Sequence, residues 1–235
     1  MNNTQTLPLV LLPGFLCDPR LWDDVLAHLK YDGPVHQIDF KHCKNLQDMV
    51  EQLEKISAPK FHLVGFSMGG YISEIFATQN PDRIATLTLV AANVGALSDK
   101  EKAGRVKLAD MLSRVQYRGM SEKEAARFIH PDSVANAHVV NTIVEMSRAY
   151  TSEMYVNQMQ ATLERIDYSE ALSQQGFPVM IVAGREDRVV TLASLQGMHA
   201  QIERSKFVIL EKSGHYVPLE KSFELSEVIR NFISS

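Results

Sequence analysis

The chain has 235 residues, with 24 Lys plus Arg against 28 Asp plus Glu, two cysteines and 45% hydrophobic residues. That length suffices for one α/β domain with an insertion and a full core. The mildly acidic balance has no like-charge block, which excludes an electrostatic footprint for nucleic acid or an anionic membrane, and no apolar run approaches the ~20 residues needed to span a bilayer.

From the N-terminus, Met1-Asn2-Asn3-Thr4-Gln5-Thr6 lacks the basic residues and long apolar segment of a secretory signal. Cys17 and Cys43 make no disulfide framework, and no His/Cys cluster has zinc spacing. The expectation is a cytoplasmic protein without a metal or other cofactor, its oligomeric state left open. Leu7-Pro8-Leu9-Val10-Leu11-Leu12 reads as a buried strand that stops at Pro13-Gly14. Asp18-Pro19 starts a helix over Arg20 to Lys30, with Leu21, Trp22, Val25, Leu26 and Leu29 on one face. A second strand covers Pro34 to Phe40, and Leu46, Met49, Val50, Leu53 and Ile56 recur at helical spacing over Asn45 to Ser57.

The third strand is Lys60-Phe61-His62-Leu63-Val64, running into Gly65-Phe66-Ser67-Met68-Gly69-Gly70, and a helix from Gly69 to Gln79 ends at Asn80-Pro81. Ile84 to Ala91 is a fourth strand. This β-α alternation predicts a parallel sheet covered on both faces. From 98 to 175 the pattern is helical, with candidates over Asp99 to Tyr117, Ser121 to Ile129, Ser133 to Tyr150 and Thr151 to Ile166, broken at Gly119 and at His130-Pro131-Asp132. Alternation returns with a strand over Pro178 to Gly184, a helix from Thr191 to about Ala200, a strand at Phe207 to Leu210 and a helix over Pro218 to Phe232. The expected organisation is an α/β core of residues 1–97 and 176–235, about six mostly parallel strands, with 98–175 inserted as a helical cap over the strand ends where such sheets bind ligands.

A bare Gly-x-Ser-x-Gly recurs by chance in roughly one chain in ten of this size. Its setting here is a strand, a sharp turn and a helix, which exposes the Ser67 hydroxyl at the strand end as a nucleophile requires. Serine needs a base, an orienting acid and oxyanion donors. Asp187 follows the fifth strand in Gly184-Arg185-Glu186-Asp187, and His215 follows the sixth in Ser213-Gly214-His215. Parallel strands bring the three loops to one sheet edge, in the order Ser, Asp, His. The backbone amides of Phe15 and Met68 are the expected oxyanion donors, and the side chains of Phe15, Leu16 and Met68 an apolar floor for substrate.

These segments, with Leu12-Pro13-Gly14-Phe15, Pro81-Asp82-Arg83-Ile84, Gly184-x-x-Asp187-x-x-Val190 and Gly214-His215, resemble a small capped member of the α/β-hydrolase superfamily. The resemblance is to the branch with the pimeloyl-ester carboxylesterases and the 2-succinyl-cyclohexadiene-carboxylate synthases. It implies Ser67 as nucleophile, Asp187 as acid and His215 as base, in agreement with the residues read alone. Three departures stand out. Pro13-Gly14 replaces the frequent His-Gly, Asp39-Phe40-Lys41-His42-Cys43 replaces a glycine-rich loop, and the first strand begins at about Leu7 without the antiparallel hairpin of many relatives.

Plainer readings set the limits. Glu186 rivals Asp187, and the spacing from Gly184 favours Asp187; Asp39 reads as structural. His28, His36, His42, His62 and His199 lack evident partners and read as solvated or packing residues. Cys17 near the oxyanion loop reads as a small filler or a reagent-sensitive thiol. In the cap, Met111, Leu112, Val115, Met146, Tyr150, Met154, Tyr155 and Met159 form stripes that pack or roof the pocket, with Tyr150 and Met154 the chosen substrate contacts. Arg105, Arg114, Arg118, His130 and His138 are candidates to meet an anionic group, and spacing does not select among them. The expected function is a cofactor-free serine esterase acting on a small carboxylic ester through an acyl-enzyme. The alternatives are C–C cleavage or elimination by the same triad, or a small-molecule receptor on this fold.

Overall fold

The computed structural model describes residues 6–92 and 95–235, so the N-terminal stretch read for a signal lies, apart from Thr6, outside the described residues. The elements run β1 (Leu9–Leu12), a short 3-10 turn at Pro19–Trp22, α1 (Asp23–Leu29), β2 (Val35–Gln37), α2 (Leu46–Glu54), β3 (Phe61–Phe66), α3 (Met68–Gln79) and β4 (Ile84–Val90). A helical excursion follows: α4 (Asp99–Leu112), α5 (Glu122–Ala125), α6 (Pro131–Val134), α7 (Ala137–Arg148), α8 (Ser152–Ala161) and α9 (Ser169–Ser173). The chain then returns through β5 (Val179–Gly184), α10 (Leu192–Gln201), β6 (Lys206–Leu210), α11 (Val217–Glu220) and α12 (Ser222–Ile233).

The six described strands form one parallel sheet in the order β2-β1-β3-β4-β5-β6. Successive strand residues point to opposite faces, and here both faces are apolar. Val10, Leu12, Leu63, Leu87, Leu89 and Ile181 enter one layer with Met49 and Leu53 of α2, Ile72 and Phe76 of α3, and Leu195 and Met198 of α10. Leu9, Leu11, Val64, Phe66, Val90 and Val182 enter the other with Val25 and Leu29 of α1 and Leu225 and Ile229 of α12. The register pairs Phe66 with Val90, Val90 with Val182, and Gly184 with Leu210. The loops after β3, β5 and β6 therefore open on one edge.

Some elements differ from expectation, through tertiary partners or local caps. β2 is three residues rather than Pro34 to Phe40, because β1, its only neighbour among the described residues, ends at Leu12 and Pro13 has no N–H to extend the ladder. Phe40 leaves the sheet and is buried in the layer with α2 and α3. The helix expected over Ser121 to Ile129 starts in a Ser121–Glu124 capping box and stops at Ala125; beyond it, the Phe128 carbonyl is taken by the His215 amide. The Asn136 side chain accepts the His138 N–H and splits the Ser133–Tyr150 pattern into α6 and α7. The last pattern splits at Lys221 into α11 and α12. Helix α9 is too short to show a period; its Leu172 is buried in the layer with α3 and α10. No helix among the described residues is long and apolar enough to cross a membrane.

Candidate active site

A single residue turns β3 into α3. Ser67 has φ 51° and ψ −113°, a conformation that costs a residue with a side chain of order 1–3 kcal/mol. Its N–H donates to the Val90 carbonyl at 3.0 Å and its carbonyl accepts the Tyr71 N–H at 3.2 Å. Glycine is required on either side: a Cβ on Gly65 would stand 2.5 Å from the Gly69 carbonyl oxygen, and one on Gly69 would stand 2.5 Å from that of Pro13. Removing those two side chains lets α3 begin against the sheet and lifts Ser67 at the strand end.

His215 bridges two other residues there. Its Nε2 lies 3.0 Å from Ser67 Oγ, and its Nδ1 lies 2.8 Å from Asp187 Oδ2. Asp187 Oδ1 accepts the backbone N–H groups of Val189 at 2.7 Å and Val190 at 3.0 Å. An acceptor-only carboxylate facing Nδ1 calls for the proton on that nitrogen, which leaves Nε2 free to accept from Ser67. Glu186 faces elsewhere, with Oε2 accepting the Ser213 N–H at 3.1 Å. The His215 loop is also tied to the excursion. Its N–H donates to the Phe128 carbonyl at 2.7 Å. Glu220 Oε2 accepts the N–H groups of Gly214 at 3.0 Å and His130 at 2.7 Å, and the Ser133 hydroxyl at 3.0 Å. Burial raises the Glu220 carboxyl above its ordinary range against the pull of those bonds.

The turn after β1 spans Gly14 to Cys17 and is closed by the Cys17 N–H on the Gly14 carbonyl at 3.2 Å. Neither the Phe15 nor the Met68 amide is engaged by a turn or loop hydrogen bond among the described residues. A cavity of about 190 Å³ lies over Ser67 and His215, walled mainly by Phe15, Phe66, Met120, Phe128, Tyr155, Val189 and Tyr216, with Arg105 as its cationic wall. A larger cavity of about 600 Å³ shares Met120, Phe128, Tyr155 and Val189 with it and is rimmed by Glu124, Arg127 and Arg188.

Of the five substrate contacts expected from sequence, Phe15 lines the smaller cavity and the other four do not. Leu16 and Met68 are each 1% exposed, turned into the protein. Tyr150 is buried with its hydroxyl on the Cys17 carbonyl. Met154 sits one residue, about 100°, around α8 from Tyr155. Tyr155 takes the wall instead, its ring perpendicular to that of Phe15 with centroids 4.9 Å apart. Of the five cations expected as candidates, Arg105 alone lines the smaller cavity among the described residues; Arg114 pairs with Asp110, His138 with Asp24, His130 Nδ1 accepts the Asp132 N–H, and Arg118 is exposed. Arg105 Nη1 is held by Thr162 Oγ1 at 2.9 Å, and burial holds the guanidinium below its ordinary value.

His62 and His199, expected to lack partners, have them: Thr86 Oγ1 at 2.9 Å and Ser205 Oγ at 2.7 Å. His28, His36 and His42 are exposed, and Asp39 caps its own turn by accepting the Lys41 N–H. Cys17 is buried, and burial pushes its thiol up to about 12, which fits the filler reading over the reactive one. No group of three or more His, Cys, Asp or Glu side chains converges as a metal site among the described residues.

A doubly covered parallel sheet with a strained serine, a histidine and an aspartate at one edge defines a hydrolase-type α/β protein. The pattern of the alpha/beta hydrolase family matches residues 9–228, and the chain belongs to that family. It is similar, at 24% identity over 96% of its length and 94% of the other's, to the pimeloyl-[acyl-carrier protein] methyl ester esterase of Aeromonas hydrophila. Its fold matches a thermophilic esterase from Thermogutta terrifontis with TM-score 0.86 and 23% identity, covering 98% and 90% of the two chains. The enol-lactonase from Burkholderia xenovorans matches with TM-score 0.81 and 16% identity, covering 100% and 94%.

Proposed function

We propose that this chain is a serine hydrolase that cleaves a small carboxylic ester through an acyl-enzyme on Ser67. The observation that carries the reading is the unbroken hydrogen-bonded chain from Ser67 Oγ through His215 to Asp187, set on a strained turn beneath a cavity. His215 Nε2 takes the Ser67 proton as Oγ attacks the ester carbonyl. The oxyanion that forms is met by the Phe15 and Met68 amides; in sites of this kind, loss of one donor costs ~3–4 kcal/mol of transition-state stabilisation. The imidazolium, oriented and stabilised by Asp187, returns its proton to the departing alkoxide, and water then deacylates Ser67 by the same route.

The small cavity with its aromatic walls suits a compact acyl group, and the adjoining larger space suits the leaving group. The esterase names of relatives support the same class of reaction. Rapid mixing with p-nitrophenyl butyrate tests the reading. A burst of p-nitrophenol of one equivalent per active chain, followed by slower turnover, is expected. An elimination or C–C cleaving enzyme releases no such burst, and a receptor turns nothing over.

A further inference from the structure

The turn that presents the Phe15 amide does not hold its shape alone. Leu16, at its third position, has φ 54°, the left-handed region where turns ordinarily use Gly or Asn. Within the turn, one backbone hydrogen bond, Cys17 to Gly14, opposes relaxation. The helical excursion supplies the rest. Gln158, fully buried on α8, accepts the Leu16 N–H at Oε1, 2.9 Å away and 142 residues distant in sequence. Tyr150, buried beyond α7, donates its hydroxyl to the Cys17 carbonyl at 2.5 Å across 133 residues. Together they grip the backbone on both sides of Leu16. Gln158 Nε2 is buried with no hydrogen-bond partner among the described residues, so the bond to Leu16 is the one its side chain makes there.

We propose that Gln158 and Tyr150 are positioning residues that set the Phe15 oxyanion donor from the cap, so that the oxyanion hole is complete only while α8 is seated on the core. The inference rests on the reading of Ser67 as nucleophile and of the Phe15 N–H as oxyanion donor. If Leu16 relaxes toward negative φ, the Phe15–Leu16 peptide turns and displaces Phe15, with its N–H, on the far side of it. The Phe15 N–H then misses the tetrahedral oxygen, while the bound ester is held as before, so the damage falls on kcat.

The test uses the full chain with Gln158→Met, which keeps length and removes the acceptor, and Tyr150→Phe, which removes only a hydroxyl. Turnover of p-nitrophenyl butyrate is measured beside inhibition by an alkyl trifluoromethyl ketone, whose adduct on serine places an oxyanion in the hole. The expected result for Gln158→Met is a kcat loss of about tenfold or more with KM within about twofold, and a ketone Ki raised by the same factor. Tyr150→Phe should show a smaller loss of the same pattern, and it decides the matter alone if Gln158→Met does not fold. Folded variants with unchanged kcat and ketone Ki, or with losses confined to KM, overturn the proposal. A wild-type chain that neither turns over ester nor binds the ketone overturns the Ser67 reading itself, a different and separable outcome.

Discussion

Asp187→Asn is a change of one atom whose consequence follows from the three donors around it. The carboxylate accepts three donors: Val189 and Val190 N–H on Oδ1, and the His215 ring on Oδ2. Asparagine offers one acceptor and one donor, so it has two ways to sit. With its NH₂ toward Val189 and Val190, two buried N–H groups lose their acceptor, at about 1–3 kcal/mol each. With its NH₂ toward His215, only the ring must adapt, and it does so by moving its proton to Nε2. The second arrangement wins, and it points an N–H at Ser67 Oγ in place of a lone pair. A base in the wrong tautomer typically loses about 10⁴ in kcat, or roughly 5.5 kcal/mol at 1.36 kcal/mol per tenfold. Steady-state hydrolysis of p-nitrophenyl butyrate, with circular dichroism to verify folding, measures the loss. Glu186→Gln is the control, since a glutamine oxygen still serves the Ser213 amide; it should stay within about threefold of wild type. A folded Asp187→Asn that keeps a tenth of wild-type kcat, or a Glu186→Gln that falls as far, refutes the assignment of the acid.

Other expectations are simpler to state. Arg105→Met should cut kcat/KM for a carboxylate-bearing ester by about tenfold or more relative to its neutral counterpart, because a charge-assisted hydrogen bond contributes about 1.5–3 kcal/mol; an unchanged ratio removes Arg105 from substrate selection. Glu74 is wholly buried on α3, and burial raises its carboxyl well above the ordinary value of 4.5. The folded state therefore binds this proton more tightly than the unfolded state. Its contribution to stability is present below pH 4.5 and declines as pH rises toward the folded value. Glu74→Gln should gain stability over wild type as pH rises through that window, seen in paired urea titrations, and a pH-independent difference contradicts it. Cys17 in the native chain should resist a disulfide-exchange reagent at pH 8 and react only on unfolding, since the thiol stays protonated and covered; fast native labelling of that residue speaks against its burial.

The parts legible from sequence are those that short-range rules specify. Leu9–Leu12 and Val179–Gly184 are continuous apolar runs because both sheet faces are covered, and such runs end where Pro13-Gly14 and Arg185-Glu186 end them. Ser67, Asp187 and His215 each follow a strand within a few residues, so a parallel sheet converts three separate local patterns into one edge. In the excursion the helix starts carry local caps, at Ser98, Ser121, Asn136 and Thr151, but the contacts that tie it to the core are distant in sequence. The Phe128 carbonyl, beyond the end of α5, serves the His215 N–H, and Gln158 answers Leu16 across 142 residues with no local mark of that role. Tyr155 and Met154 belong to the same apolar stripe, and only the rotation of α8 as packed puts the tyrosine on the cavity wall. Arg105 is one of five candidate cations; its selection depends on α4 lying beside α8, where Thr162 holds it.

The central claim is that Ser67 is an activated nucleophile, and covalent labelling tests it most directly. A fluorophosphonate probe incubated with the folded chain, followed by peptide mass spectrometry, should place one adduct on the peptide bearing Ser67, with none in Ser67→Ala or in heat-unfolded protein and hydrolysis lost in step. A folded wild-type chain that takes no label at Ser67, or a Ser67→Ala chain that still hydrolyses ester, contradicts it.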